Sequence, residues 1–171
     1  MPAGLGRSTG GSGAAPTLIA SPMELLPRDV ELRLAVYELI LRTGRVPLAQ
    51  EIATARATDE TVVREGLRRL ANAHAFVVGD DGEIVMAHPF SAFETPYTVV
   101  GDKMTFWANC AWDALAIPAI LKISARVAAR CHCSCADPIA LEFDQGRLAR
   151  VDAVVHFAVP PRRFYDNIRF T

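Results

Sequence analysis

Apolar residues recur three and four positions apart in the first third of the chain, which is the spacing of an amphipathic helix. The first such pattern starts at Asp29, which we expect to cap the helix, and Gly44 is expected to end it. Its apolar stripe is broad and comprises Val30, Leu32, Leu34, Val36, Tyr37, Leu39, Ile40 and Leu41.

Two shorter helical patterns follow. Pro47 is typical of a helix start and predicts a short helix with Leu48 and Ile52 facing inward. Thr58 and Asp59 are suited to cap a third helix. The predicted core face of that third helix consists of Val62, Val63, Leu67 and Leu70.

A change to strand-like patterning follows these helices. Residues 75–78 and 83–86 flank a turn at residues 80–82, which predicts a β-hairpin. Three helices followed by a hairpin are the arrangement of a winged helix-turn-helix, so we assign residues 23–90 to such a module. Residues 1–22 are rich in Gly, Ser, Pro and Ala, and this composition predicts a disordered tail.

The second half, residues 91–171, predicts a small antiparallel sheet that packs on an apolar helix. Residues 106–121 form the most apolar run and give the helix; strands are expected at 125–129, 138–143 and 148–157, and a short helix after Pro160. The predicted fold class is therefore α+β. Aromatic and apolar side chains expected to pack inward around these elements are Phe90, Phe93, Tyr97, Phe164 and Ile168.

Composition narrows the class of protein. Hydrophobic residues make up 51% of the 171 residues and charged residues 22%, as in a folded globular protein. No apolar run reaches the ~18 residues that span a membrane, and we see no signal-peptide pattern. Three of the four cysteines lie within five residues, a spacing poorly suited to disulfides, so we expect free thiols in the cytoplasm.

Nucleic-acid binding is the functional alternative for the winged-helix-like module. The third predicted helix carries Arg64, Arg68 and Arg69. The same helix also carries acidic residues, and the formal net charge of the chain is −1, which does not favour phosphate contacts. We therefore expect a structural module and no nucleic-acid partner.

Within the apolar run, Cys110 and Asp113 carry the two side chains suited to catalysis, a thiol and a carboxyl group. Side chains three apart lie on one face of a helix, so the thiol and the carboxyl group are expected to be neighbours. A helix start favours thiolate, whereas an apolar environment favours a protonated carboxyl group. The alternative is structural, with Cys110 as a small core residue and Asp113 interacting with the helix start.

A cluster of thiols follows the strand predicted at residues 125–129. Cys131, Cys133 and Cys135 alternate along the chain, and alternate residues of a straight strand are too far apart to share one metal ion. The cluster can hold a metal such as zinc only if the chain turns. The alternatives are a structural zinc site, a loop that traps a soft metal, and a loop without metal.

The segment from Trp107 to Ala119 resembles the organomercurial (alkylmercury) lyases through the pattern aromatic-x-x-Cys-Ala-x-Asp-x-Leu-x-x-Pro-Ala. The similarity continues through residues 124–127, Cys131 and residues 138–141. It implies that Cys110 binds mercury, that Asp113 donates a proton to the departing carbon, and that the substrate is an organomercurial. It also implies that external thiols remove the mercuric product and that no organic cofactor is needed.

The resemblance further implies a second catalytic thiol downstream of residues 155–171. The sequence contains no Cys after Cys135, so that thiol is either missing or lies just beyond residue 171. If it is missing, one hypothesis is that a thiol of the 131–135 cluster takes its role. Two other classes of function stay open at this point. One is a thiol-based protein that binds or senses metal without cleaving anything, and the other is a winged-helix transcriptional regulator that responds to metal.

Overall fold

A computed structural model of the chain describes residues 25–131, 136–149, 151, 154–157 and 159–168. The tail predicted for residues 1–22 lies outside this part of the chain. The described residues form an α+β fold, as predicted, in which three helices and a small sheet precede a larger antiparallel sheet with one helix against it. No helix in the described ranges has the length and apolarity required to cross a membrane.

The first helix, α1 (Pro27–Thr43), starts two residues before the predicted cap. Leu26 occupies the N-cap position, and Asp29 lies buried in the first turn, so its predicted capping role is wrong. Gly44 ends the helix with a positive φ of 77°, as expected. Only part of the broad stripe faces the core, because a helix turns one face inward; Leu32, Val36, Leu39 and Ile40 are buried, whereas Val30, Leu34 and Leu41 are exposed.

The next two helices complete the helical part. In α2 (Ala49–Arg56), which starts two residues after Pro47, Ile52 is buried as predicted. Leu48 was predicted to face inward but is exposed, because it precedes the helix as its N-cap. Asp59 caps α3 (Glu60–Asn72) by accepting a hydrogen bond from the Thr61 amide at 2.7 Å.

Three of the four predicted core residues of α3, Val63, Leu67 and Leu70, are buried. The prediction for Val62 is wrong, since its side chain lies on the outer side of the helix and is exposed.

The predicted hairpin is confirmed as strands β1 (Val77–Val78) and β2 (Ile84–Ala87), which pair antiparallel. A third strand, β3 (Phe90–Ser91), extends this sheet beyond the predicted hairpin. The order of helices and hairpin matches a winged helix, although the winged-helix assignment and its boundaries stay predictions. Phe93, predicted to pack inward, is exposed because it lies beyond the end of β3.

The larger sheet has the strand order β5-β4-β6-β7-β8, and all of its pairings are antiparallel. Its strands are β4 (Thr98–Gly101), β5 (Thr105–Trp107), β6 (Ala125–Arg130), β7 (Pro138–Asp144) and β8 (Arg147–Leu148). The predicted strand over residues 148–157 is wrong in length. Pairing with β7 ends at a bond from the Ala149 amide to the Glu142 carbonyl, and the described residues among 151–157 form no strand.

Helix α4 (Ala111–Leu121) connects β5 to β6 and packs on the larger sheet, as predicted. Phe90 joins the two halves of the molecule, because its ring lies 6.3 Å from that of Tyr37 in α1 and 5.3 Å from that of Phe106 in β5. One hydrophobic core therefore continues from the helices to the larger sheet. The start of α4 lies next to this junction, since the Asn109 amide bonds to the Pro89 carbonyl at 3.4 Å.

Candidate active site

Cys110 and Asp113 lie together at the start of α4. Cys110 is the N-cap residue, with an extended backbone (φ −150°, ψ 179°), and Asp113 follows in the first turn. The two side chains are close enough for each to affect the pKa of the other, and both are partly buried. The neighbouring positions predicted from the spacing are therefore confirmed.

The Cys110 thiol is not biased toward thiolate, contrary to the expectation from its place at a helix start. Burial raises its pKa, and the negative charge of Asp113 raises it further. The backbone amides of Asp113 and Trp112 act in the opposite direction, as expected at a helix N-terminus, but they do not outweigh burial. The neutral thiol is therefore favoured in this structure.

The Asp113 carboxyl group is biased toward its protonated form, as the sequence predicted. Burial raises its pKa above the ordinary value for Asp. Three neighbours oppose this effect: the Asn109 amide, the charge of His88 and the Cys110 thiol. The Asn109 Nδ2 atom donates to Asp113 Oδ2 at 3.1 Å. The net effect is an acid that holds its proton to a higher pH than an exposed Asp.

Asn109 and His88 were not recognised in the sequence as site residues. Asn109 precedes Asp113 by four positions, so helical spacing offered a signal that it could reach the carboxyl group. His88 lies in the turn between β2 and β3, far from Asp113 in sequence, and no sequence signal connects the two. Burial lowers the pKa of His88, and its Nε2 is a buried atom with no hydrogen-bond partner in the described structure.

The segment that follows the larger sheet returns to the start of α4. The Phe157 ring lies 6.2 Å from that of Trp112 and 5.6 Å from that of Phe164, which belongs to a 3₁₀ helix at Pro161–Asp166. In the same 3₁₀ helix, Tyr165 stacks on His74 at 4.0 Å between ring centroids and donates to the His74 carbonyl at 2.9 Å. The charge of Asp113 contributes, after burial, to a raised pKa of Tyr165.

The predicted metal residue Cys131 directly follows β6, away from α4 in sequence. Its amide bonds to the Asp137 carbonyl at 2.9 Å, and Arg130 pairs with Pro138, so the chain reverses direction between β6 and β7. Cys133 and Cys135 lie outside the described residues. Within the described part, no group of three or more His, Cys, Asp or Glu side chains is placed to hold a metal ion, and zinc at the cluster stays a prediction.

Two of the three arginines considered for DNA binding are engaged within the protein. Arg64 bonds to Glu60 at 2.8 Å and to Glu83 at 2.6 Å, and Arg69 bonds to the buried Asp29 at 2.8 Å. These side chains connect α3 to the hairpin and to α1. The contacts favour the structural interpretation of the N-terminal module.

The chain is similar to a known protein family in its sequence and to a solved structure in its fold. Residues 90–170 match the family model of MerB, alkylmercury lyase. No curated protein matches the sequence. Among solved structures, the crystal structure of the mercury-bound form of MerB2 is similar with a TM-score of 0.59 and 21% sequence identity, over 74% of this chain. The alignment spans 61% of that structure's chain, and at this identity it establishes a shared fold only.

Proposed function

We propose that this chain, whose residues 90–170 match the alkylmercury lyase family, cleaves carbon–mercury bonds by protonolysis. The products are a hydrocarbon and mercuric ion held by thiolates. The observation that carries the proposal is the placement of the Cys110 thiol at the N-cap of α4 beside Asp113 of the first turn, whose carboxyl pKa is raised by burial. A soft ligand and a proton donor are thereby side by side.

Cys110 acts as the mercury ligand. Thiolate sulfur is the softest ligand that a protein side chain offers, and mercury is a soft metal. When the organomercury cation binds, the Cys110 sulfur forms a bond to mercury and releases its proton to solvent. A raised thiol pKa does not prevent this step, because the metal displaces the proton that burial and Asp113 retain.

Asp113 acts as the acid. In the cleavage step the carbon–mercury bond breaks, its electron pair stays with carbon, and carbon takes the proton from the Asp113 carboxyl group. Mercury remains Hg(II), so no electrons are transferred and no organic cofactor is required. Asp113 is left as carboxylate and regains its proton from solvent before the next cycle.

A second thiolate is needed to increase the electron density on mercury and to hold the mercuric product. We assign this role to a thiol of the 131–135 cluster or to a small thiol from solution, and small thiols then remove the product. Replacing Cys131, Cys133 and Cys135 together by Ser tests the cluster. Unchanged release of hydrocarbon in that variant would exclude the cluster as the source of the second thiolate. The small thiol from solution would then be the second ligand.

The decisive experiment measures hydrocarbon release. The purified chain is incubated with phenylmercury and excess small thiol, and benzene is quantified in the headspace. We expect release in the parent chain, no release in Cys110→Ser or Asp113→Asn, and unchanged release in the control Asp102→Asn, whose carboxyl group is exposed in a loop.

Mercury bound through Cys110 without any hydrocarbon from the parent chain would contradict the proposal and indicate a metal-binding protein.

A further inference from the structure

Trp112, Phe157 and Phe164 form a continuous row of aromatic rings beside the start of α4. The ring centroids of Trp112 and Phe157 are 6.2 Å apart with a tilt of 56°, and those of Phe157 and Phe164 are 5.6 Å apart with a tilt of 41°. Both pairs fall in the range of favourable aromatic contacts. We refer to these three residues as the aromatic row.

The row is open to solvent although it is strongly apolar. Trp112 is 58% exposed and Phe157 is 37% exposed. Single exposed apolar side chains are ordinary, but adjoining exposed aromatic rings form a patch of the kind that binds ligands. The contacts among the rings hold this surface in place without covering it.

The aromatic row is continuous with the candidate active site. Trp112 lies in the first turn of α4, two residues after the N-cap residue Cys110, and its ring contact with Phe157 brings the row to this end of the helix. A group attached to mercury on the Cys110 sulfur would be held at the same end of α4 as these rings.

The far end of the row is anchored to the helical half of the molecule. Tyr165 stacks on His74 and donates a hydrogen bond to the His74 carbonyl, which fixes the 3₁₀ helix that carries Phe164. A surface held in this way requires little ordering when a ligand binds, and pre-organisation of this kind increases affinity.

We propose that the aromatic row binds the organic group of the substrate and makes the protein selective for aryl mercurials over short alkyl mercurials. The proposal rests on the proposed function and names the substrate class of the same site. A flat aromatic group gains offset or edge-to-face contacts with the rings in addition to apolar burial, whereas a methyl group offers little area for either.

Equilibrium binding tests the proposal without requiring cleavage. In the Asp113→Asn background, Cys110 competes with a small thiol for phenylmercury or for methylmercury, and the fractions of each bound to the protein give the selectivity. We expect the protein to bind phenylmercury more tightly than methylmercury, each measured relative to the small thiol. This preference should fall about tenfold with Trp112→Leu or Phe157→Leu, because each removes one ring contact. Trp112→Phe keeps a ring at that position and is expected to retain most of the preference.

Steady-state kinetics give a second readout. In the parent chain with Asp113 intact, Trp112→Leu is expected to raise KM for phenylmercury about tenfold and to change KM for methylmercury by less than about twofold. Because Trp112 is largely exposed, its replacement is compatible with folding, which a thermal melt checks.

The outcomes separate this proposal from the proposed function. A phenyl preference that is unchanged by Trp112→Leu and by Phe157→Leu would overturn the role of the aromatic row, whether or not the chain releases hydrocarbon. A preference that depends on both rings, in a chain that releases no hydrocarbon, would support the aromatic row and contradict the lyase.

Discussion

The side-chain amide of Asn109 donates a hydrogen bond to Oδ2 of Asp113 at 3.1 Å. Hydrogen bonds to a carboxylate stabilise its charged form, so this contact lowers the pKa of Asp113 while burial raises it. The side-chain oxygen of Asn109, Oδ1, is buried without a hydrogen-bond partner among the described residues. Asn109 therefore limits how far burial raises the pKa of Asp113.

The Asn109→Ala variant is expected to shift the pH dependence of hydrocarbon release. Removal of the amide takes away an interaction that lowers the pKa of Asp113, so that pKa rises further. Because the proposed cleavage step requires the protonated acid, the pH at which activity declines should move upward. A pH–rate profile of the two proteins checks the direction.

Asn72→Ala, at an exposed position that ends α3, serves as the control and should leave the profile unchanged. A profile of Asn109→Ala that keeps its midpoint and only loses height would show that Asn109 orients the carboxyl group without tuning it.

The Asp113→Asn variant is expected to make the Cys110 thiol more acidic. The negative charge of Asp113 is one cause of the raised thiol pKa, and the amide removes that charge while keeping the size of the side chain. The rate of reaction with a chromogenic disulfide, measured against pH, gives the pKa directly. A thiol pKa that stays the same or rises in this variant would mean that burial alone controls Cys110.

Local patterns in the sequence were sufficient for much of the fold. The spacing of apolar residues located all three N-terminal helices, the hairpin and α4, because each of these elements is specified by neighbours within a few positions. The errors arose where orientation depends on tertiary packing. Leu34 and Val62 continue apolar stripes but face away from the core, and helical periodicity alone cannot say where the buried face ends.

Only those residues of the candidate site that are close together in the sequence could be predicted. Cys110 and Asp113 share one helical turn, so their spacing was informative. The contributions of His88 and of the Trp112–Phe157 contact come from distant parts of the chain, and only the folded structure brings them together. The charge state of Cys110 was predicted wrongly for the same reason, because burial depends on packing whereas a helix terminus can be read from the sequence.

Replacement of Arg69 is expected to destabilise the helical half. Asp29 is 2% exposed, and Arg69 provides its salt bridge at 2.8 Å, so Arg69→Ala leaves a buried carboxylate without its partner. The expected loss is about 3 kcal/mol in the free energy of unfolding at neutral pH, at the low end for buried pairs because Arg69 is partly solvated. Urea denaturation measures it.

The pH dependence of this loss has a definite sign. Hydrogen bonds and charge from Arg69 lower the pKa of Asp29, so the stability they contribute is present above the ordinary Asp pKa and is lost as the pH falls below it. The difference between parent and variant should narrow in acid. Arg68→Ala, which alters an exposed arginine of the same helix, should stay within about 0.5 kcal/mol of the parent.

Helices α1 and α3 approach each other closely at Gly66. Gly66 lies in the interior of α3, where Ala would ordinarily add about 0.5–1 kcal/mol of stability. Here a methyl group at position 66 would lie 2.4 Å from Cδ2 of the buried Leu32, so the two helices would have to separate or Leu32 would have to leave its rotamer. We expect Gly66→Ala to lower the free energy of unfolding by about 1 kcal/mol, as overpacking exceeds the gain in helix propensity.

A double-mutant cycle identifies the cause of that loss. In a Leu32→Ala background the obstructing Cδ2 atom is absent, so Gly66→Ala should become stabilising and recover part of the stability that Leu32→Ala removes. If Gly66→Ala destabilised both backgrounds equally, the contact with Leu32 would not be responsible. The next atoms in range, Arg69 Nη2 at 3.5 Å and Asp29 Oδ1 at 3.8 Å, would then be the partners to test, since they belong to the ion pair that joins the same two helices.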